Sequence, residues 1–190
     1  MKRVYAFCDF ETTGLFQLSK PDPYPIEVGL IFTDENYTTI TTYQNLIGWD
    51  GLINKSCGFQ WPSDYQEAYK IHGITPEEYL GKSEPFQTCG RDIIDICESL
   101  KIGKYYPTLI SDNIQFEYRL MWNLFLHRFQ SNPDNEEIFP FHYCGFDTSE
   151  FLIRSGVGDP KPEHRAFRDA ALLQQHMIRA VEKLTGFKES

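Results

Sequence analysis

Positive charge is in short supply in this chain. Lys and Arg number 18 against 27 Asp and Glu, for a net charge of −9. A protein that coats nucleic acid through a general basic surface is therefore not expected. That exclusion weakens where acids cluster as metal ligands, because bound divalent cations cancel them locally. Long apolar runs are lacking too, and no stretch approaches the roughly 20 residues that cross a bilayer. The amino-terminal MKRVYAFCDFE meets Asp9 and Glu11 too soon for the apolar region of a signal peptide. A soluble intracellular (cytoplasmic) protein without membrane attachment is the expectation. Paired cysteines are missing as well. Cys8, Cys57, Cys89, Cys97 and Cys144 make an odd number with no C-x-x-C spacing, which predicts reduced thiols rather than a disulfide frame or a zinc site. Repeats, low-complexity tracts and breaks in composition are absent, so residues 1–190 read as one domain. What the chain does have is 41% hydrophobic and 15% aromatic residues, enough for a packed core.

Val4 to Cys8 reads as a buried strand that ends at Asp9-Phe10-Glu11. The segment TTGLFQLSKPDPYP, with three prolines, reads as a loop. Ile26–Thr33 and Tyr37–Leu46 are rich in β-branched and aromatic residues and predict strands, joined by a hairpin at Asp34-Glu35-Asn36. Residues 48–63 read as an irregular loop insertion. Ser63 or Asp64 caps a short helix through Ile71, which His72-Gly73 stops. Phe86, Cys89, Ile93, Ile96, Cys97 and Leu100 follow helical spacing across residues 85–100, with Gly103 beyond as a stop. Thr108–Ser111 predicts a strand, Ile114 onward a helix, Phe139–Cys144 a further short strand. A last helix spans about Ala166 to Leu184, with Ala170, Leu173, Met177, Ala180 and Leu184 as its apolar row. Hairpin-linked strands first, then strands alternating with helices, describe an α/β protein with a mixed sheet and helices on its faces.

Four acids break these patterns. Asp9 and Glu11 are two apart at a strand end, where a period of two puts both on one face. Two like charges there repel and are costly to desolvate. A divalent cation resolves both problems, since Mg²⁺ and Mn²⁺ prefer oxygen ligands; a solvated strand end is the alternative. Glu117 lies on the apolar stripe of Ile114, Met121, Leu124 and Phe125, with Asp112 just ahead of that helix. Asp169 repeats the oddity, preceding Leu172, Leu173, His176 and Met177 on the core-facing stripe of its helix. His164 stands five residues earlier in a proline-flanked loop. Histidine titrates near neutral pH and can accept a proton from water.

The motifs DFETTGL (9–15), AYKIHGIT (68–75), DNIQFEYRLM (112–121) and HRAFRDAALL (164–173) resemble, in order, those of the DEDDh (DnaQ-like) 3′-5′ exonucleases. The resemblance runs from residue 4 to about 184. It implies a ribonuclease H-like fold, with a central five-stranded mixed sheet whose second strand is antiparallel to the others. It implies two divalent cations, Mg²⁺ or Mn²⁺, held by Asp9, Glu11, Glu117 and Asp169, with His164 as general base. The implied activity is stepwise hydrolysis of phosphodiester bonds from the 3′ end of single-stranded DNA or RNA, releasing 5′-mononucleotides. Thr12, Thr13, Gly14 and Leu15 resemble the segment that meets the terminal 3′-hydroxyl and base. His72, Gly73 and Ile74 resemble the border of the terminal nucleotide pocket. Asn113 and Arg165 belong to the same expected substrate surface. A polymerase or another replication or repair factor is an implied kind of partner, and the sequence does not fix the oligomeric state.

One position departs from the pattern, because the family has Asp where this chain has Glu117. Three readings follow. Glu117 is an altered ligand with a shifted backbone. Or Asp112 contributes, directly or through water. Or the site binds nucleic-acid ends with weak or no turnover.

Overall fold

Strand β1, Tyr5–Thr12, alternates its side chains between two cores, as a two-residue period requires. Ala6, Cys8 and Phe10 join one apolar cluster and Phe7 the other. In the computed structural model, residues 3–15, 23–49, 53–54, 58–59, 65–129, 139–142, 144–158 and 160–186 are described. β2 (Pro25–Thr33) pairs antiparallel with β1, and β3 (Thr39–Gly48) pairs antiparallel with β2. The hairpin between β2 and β3 is held by Asp34, whose Oδ1 accepts from the N–H groups of Asn36 (2.8 Å) and Thr38 (2.9 Å).

The remaining elements follow in chain order. β4 (Ile53–Asn54) and β5 (Gly58–Phe59) form a small separate ribbon. Then come α1 (Tyr65–His72), α2 (Pro76–Lys82), β6 (Glu84–Pro85), α3 (Phe86–Leu100), β7 (Thr108–Ser111), α4 (Ile114–Phe129), β8 (Phe146–Asp147), α5 (Ser149–Ser155) and α6 (Ala166–Thr185). The main sheet runs β6-β3-β2-β1-β7-β8. β7 pairs parallel with β1, β8 with β7 and β6 with β3, so β2 alone runs against the rest. Residues of α3 and α4 pack on one face, those of α5 and α6 on the other.

Four expectations need correction. The sheet has six strands, not five. β3 continues to Gly48, past the expected Leu46, and Ile47 and Gly48 pair with Glu84 and Pro85. No strand occupies the described residues of 139–144. Phe139 stacks instead on Tyr118 and contacts Trp122 and Phe125 of α4, and the outer strand forms two residues later, at β8. Leu184, expected in the apolar row of α6, is exposed, whereas Ala170, Leu173, Met177 and Ala180 are buried. Two short helices also escaped the sequence reading. α2 carries a clear signal in hindsight: Thr75 caps it by accepting from Glu78 N, with Pro76 at its first position. α5, seven residues long, is too short to show a period. Ser63, Asp64, Cys57 and most of the loop at 48–63 lie outside the described residues. Among the described residues no helix is long and apolar enough to cross a membrane.

Candidate active site

Asp9 and Glu11 occupy the carboxyl half of β1, within the strand rather than after it. β1 lies between β2 and β7, and its register sets Asp9 opposite Gly29 and Glu11 opposite Glu27. Glu117 enters from the first turn of α4. That turn starts where β7 ends: Ser111 Oγ accepts from Asn113 N (3.0 Å), and the Asn113 carbonyl accepts from Phe116 N and Glu117 N (3.0 and 3.1 Å). Glu117 is 3% exposed, and its Oε2 is buried without a hydrogen-bond partner among the described residues. Asp112, one residue before Asn113, is exposed and lies within hydrogen-bonding reach of Ser111 Oγ at 3.5 Å.

Asp169 lies in the first turn of α6 and turns back onto the preceding loop. Its two oxygens accept from Glu163 N (2.6 Å) and His164 N (2.8 Å). The loop reverses at His164, whose φ of 58° is in the left-handed region, one that histidine enters more readily than most residues. Ligand atoms of Glu11, His164 and Asp169 all lie within 4.8 Å of one another.

The electrostatics are those of a crowded anionic pocket. Glu11 is pushed up to about 8 by burial, then by Asp169 and Glu27, with Arg165 opposing. Asp9 sits well above the usual carboxylate range through burial, then Glu117, Glu11, Asp169 and Asp112. Glu117 is raised by burial, then Asp112 and Glu11. Asp169 and Asp112 are thus among the charges that raise Asp9, Glu11 and Glu117, so the four expected ligands, with Asp112, share a common field. All four offer oxygen donors, and the orphaned Glu117 Oε2 is a buried polar atom that needs a partner. These residues fit a hard divalent cation such as Mg²⁺ or Mn²⁺.

A measurable pH dependence follows. Between about 4.5 and about 8 the folded chain keeps the Glu11 proton that the unfolded chain has released. Stability without divalent ions therefore falls as pH rises across that window. Because a cation replaces those protons, the gain in Tm on adding Mn²⁺ should be larger at pH 8 than at pH 5.5. At a hundred times Kd it reaches about 2.7 kcal/mol, on the order of 5–10 °C for a chain of this size. Thermal melts in chelator and in Mn²⁺ at the two pH values measure it. Equal gains would mean that the acids do not hold the ion.

The expected substrate residues are distributed around this centre. Thr13 clasps the far end of its loop, donating its N–H to Tyr24 O (3.0 Å) while its Oγ1 accepts from Tyr24 N (2.9 Å). Thr12 Oγ1 donates to Gly14 O (2.6 Å), a Cβ on Gly14 would meet nothing within 4 Å, and Leu15 is 72% exposed. Asn113 is exposed at the start of α4. Gly73 ends α1 at a φ of 68°. Ile74 is fully buried in the core beneath it. His72 is buried, its Nδ1 accepts from Ile74 N (3.0 Å), and burial lowers its pKa to about 4, with Glu27 opposing and Arg165 and His164 adding to the drop. His72 is therefore neutral at physiological pH. Arg165, expected on the substrate surface, has its guanidinium on two carboxylates. Its Nε and Nη2 donate to Glu27 (2.9–3.3 Å) and Nη2 also to Glu78 (3.2 Å).

Glu27 was passed over in the sequence. It is 1% exposed, inside a strand buried at every position. The available signal was a lone acid in IEVGLIFT, but its partner lies 138 residues away.

The mixed six-stranded sheet with helices on its faces is a fold shared with exonucleases of known structure. Among solved structures, the zinc-bound Exonuclease I–ssDNA complex of E. coli superposes with a TM-score of 0.67 at 16% identity, covering 95% of this chain and 40% of that one. E. coli Exonuclease I in complex with a dT13 oligonucleotide gives 0.66 at 15% identity, with 97% and 42% covered. The nuclease domain of 3′hExo, a DEDDh family member bound to rAMP, gives 0.63 at 14% identity, with 94% and 92% covered. The chain thus spans about 40% of the Exonuclease I chains but nearly the whole of the 3′hExo domain. No protein-family model and no curated protein sequence matches the chain.

Proposed function

We propose that this protein is a metal-dependent 3′-5′ exonuclease of the DEDDh type, acting on the 3′ end of single-stranded DNA or RNA and releasing 5′-mononucleotides. The grouping of Glu11, His164 and Asp169 within 4.8 Å carries the reading, and the electrostatic influence of these acids on the buried Asp9 and Glu117 supports it. The exonuclease fold supports it. Two divalent cations held by the four carboxylates would activate water and neutralise charge on the transferring phosphoryl group. The chain's own groups do the rest. His164 accepts the proton of the attacking water at a ring nitrogen. Asp169 keeps His164 in place through the backbone of its loop. Leu15, exposed beside the Thr12–Gly14 turn, offers an apolar surface to the terminal base, which suits an unstacked single strand without sequence preference. Glu117 in place of Asp favours one rival, a module that binds nucleic-acid ends with little or no turnover.

A 5′-labelled single strand with Mg²⁺ or Mn²⁺ decides between them. The proposed enzyme yields a ladder shortened from the 3′ end and free mononucleotides, and His164→Ala suppresses both. Tight binding without shortening, for DNA and RNA alike, would establish the rival.

A further inference from the structure

Three residues of β2 at a spacing of two, Glu27, Gly29 and Ile31, lie under the start of α6. The first turn of that helix has no cap of its own, because the side chain of its N-cap residue Arg165 makes no capping hydrogen bond. Glu27 supplies one from the strand: its Oε2 accepts from Ala166 N at 3.0 Å. The same carboxylate receives the fork of Arg165, and Gln44 Nε2 of β3 reaches its Oε1 at 3.4 Å. Arg165 in turn ties in Glu78 of α2 at 3.2 Å. One fully buried acid therefore fastens the residue that follows His164 and the helix that carries Asp169.

We propose that Glu27 and Arg165 act as a positioning pair, a cap lent by β2 that fixes His164 and Asp169 over Asp9 and Glu11, and that Arg165 does not serve as a phosphate contact. The charges support this division of labour. Arg165 is 30% exposed and makes charge-assisted bonds to two carboxylates. A buried Glu27 without it would be an uncompensated charge. The proposal rests on the exonuclease reading for its kinetic consequence but not for its geometry, so two readouts separate the two.

The first readout is amide hydrogen exchange, which needs no turnover. In Glu27→Gln and in Arg165→Lys, protection of the Ala166 amide should fall relative to the middle of α6, for example Leu173. Arg165→Lys keeps the net charge, and it serves as the test should Glu27→Gln not fold. Unchanged protection at Ala166 in the folded variants overturns the proposal. The second readout is the split between kcat and KM on a labelled single strand. Each variant should lose about 100-fold in kcat, the scale of a 1 Å misplacement, with KM within about twofold. The double variant should be no worse than the poorer single, since the two act as one unit. Were Arg165 a phosphate contact, Arg165→Lys would raise KM and weaken strand affinity while Glu27→Gln would leave both alone, which also overturns it. Should the wild type turn over no strand, the exonuclease reading falls, and the exchange result decides the pair on its own.

Discussion

Glu117→Gln lowers turnover by more than about 100-fold, and Asp112→Asn leaves most of it. The two acids flank the start of the same helix, yet the structure treats them differently. Glu117 is 3% exposed and keeps an oxygen that no donor among the described residues satisfies; Asp112 is exposed at the rim. A carboxylate placed in that way costs folding energy, which a ligand to a cation recovers when the ion binds. An amide loses the charge, and its NH₂ points a donor at the ion. Single-turnover assays in saturating Mn²⁺ measure both variants. The change should also raise the stability of the ion-free protein at alkaline pH, because Glu117 is held above the usual carboxylate range and is strained once it ionises. Loss of turnover in Asp112→Asn, with Glu117→Gln active, would move the third ligand to Asp112.

Gly29→Ala should be the most damaging small substitution in the protein. A Cβ there would fall inside contact distance of the backbone at Ala166 and Phe167, atoms that cannot rotate away. The start of α6 would have to lift off β2, where Glu27 caps it. Overpacking of this kind costs about 3 kcal/mol or more, roughly 6–12 °C in Tm for a chain of this length. Turnover should fall with it by about 100-fold or more, since His164 and Asp169 ride on the displaced segment. Gly81→Ala is the matched control: nothing lies within 4 Å of its added Cβ, and it sits in helix α2. It should stabilise by up to about 1 kcal/mol. Urea unfolding of both variants gives the comparison. A Gly29→Ala protein within about 0.5 kcal/mol of wild type would show that helix and strand are less closely seated.

Much of this was legible before any coordinates. The strands β1 to β3, the long helices and the four acids announce themselves through period. Acids on apolar stripes are conspicuous because each side chain is judged against its own helix. What escaped the sequence depends on partners remote in the chain. β6 exists only because Ile47 and Gly48 offer it a neighbour. The segment from Phe139 looked like a strand because aromatic residues favour strands, but α4 captured those rings first. Arg165 read as a substrate-surface residue because nothing nearby in sequence claims its charge; Glu27 and Glu78 do so across the fold. Glu27 itself alternates like any outward strand residue until α6 covers it.

The central place of β1 has a consequence for how such a protein can change over time. Asp9 and Glu11 stand on the strand with paired neighbours on both sides, and Glu117 and Asp169 on the first turns of helices packed against the two faces. On the proposed reading, the apolar surface offered to a nucleotide comes instead from the turn at Thr12–Leu15. Reaction and preference are thus written on separate parts of the chain. Mutations in the turn would then retune which end is accepted without disturbing the acids, so a lineage of such proteins could drift between substrates while its chemistry stays fixed.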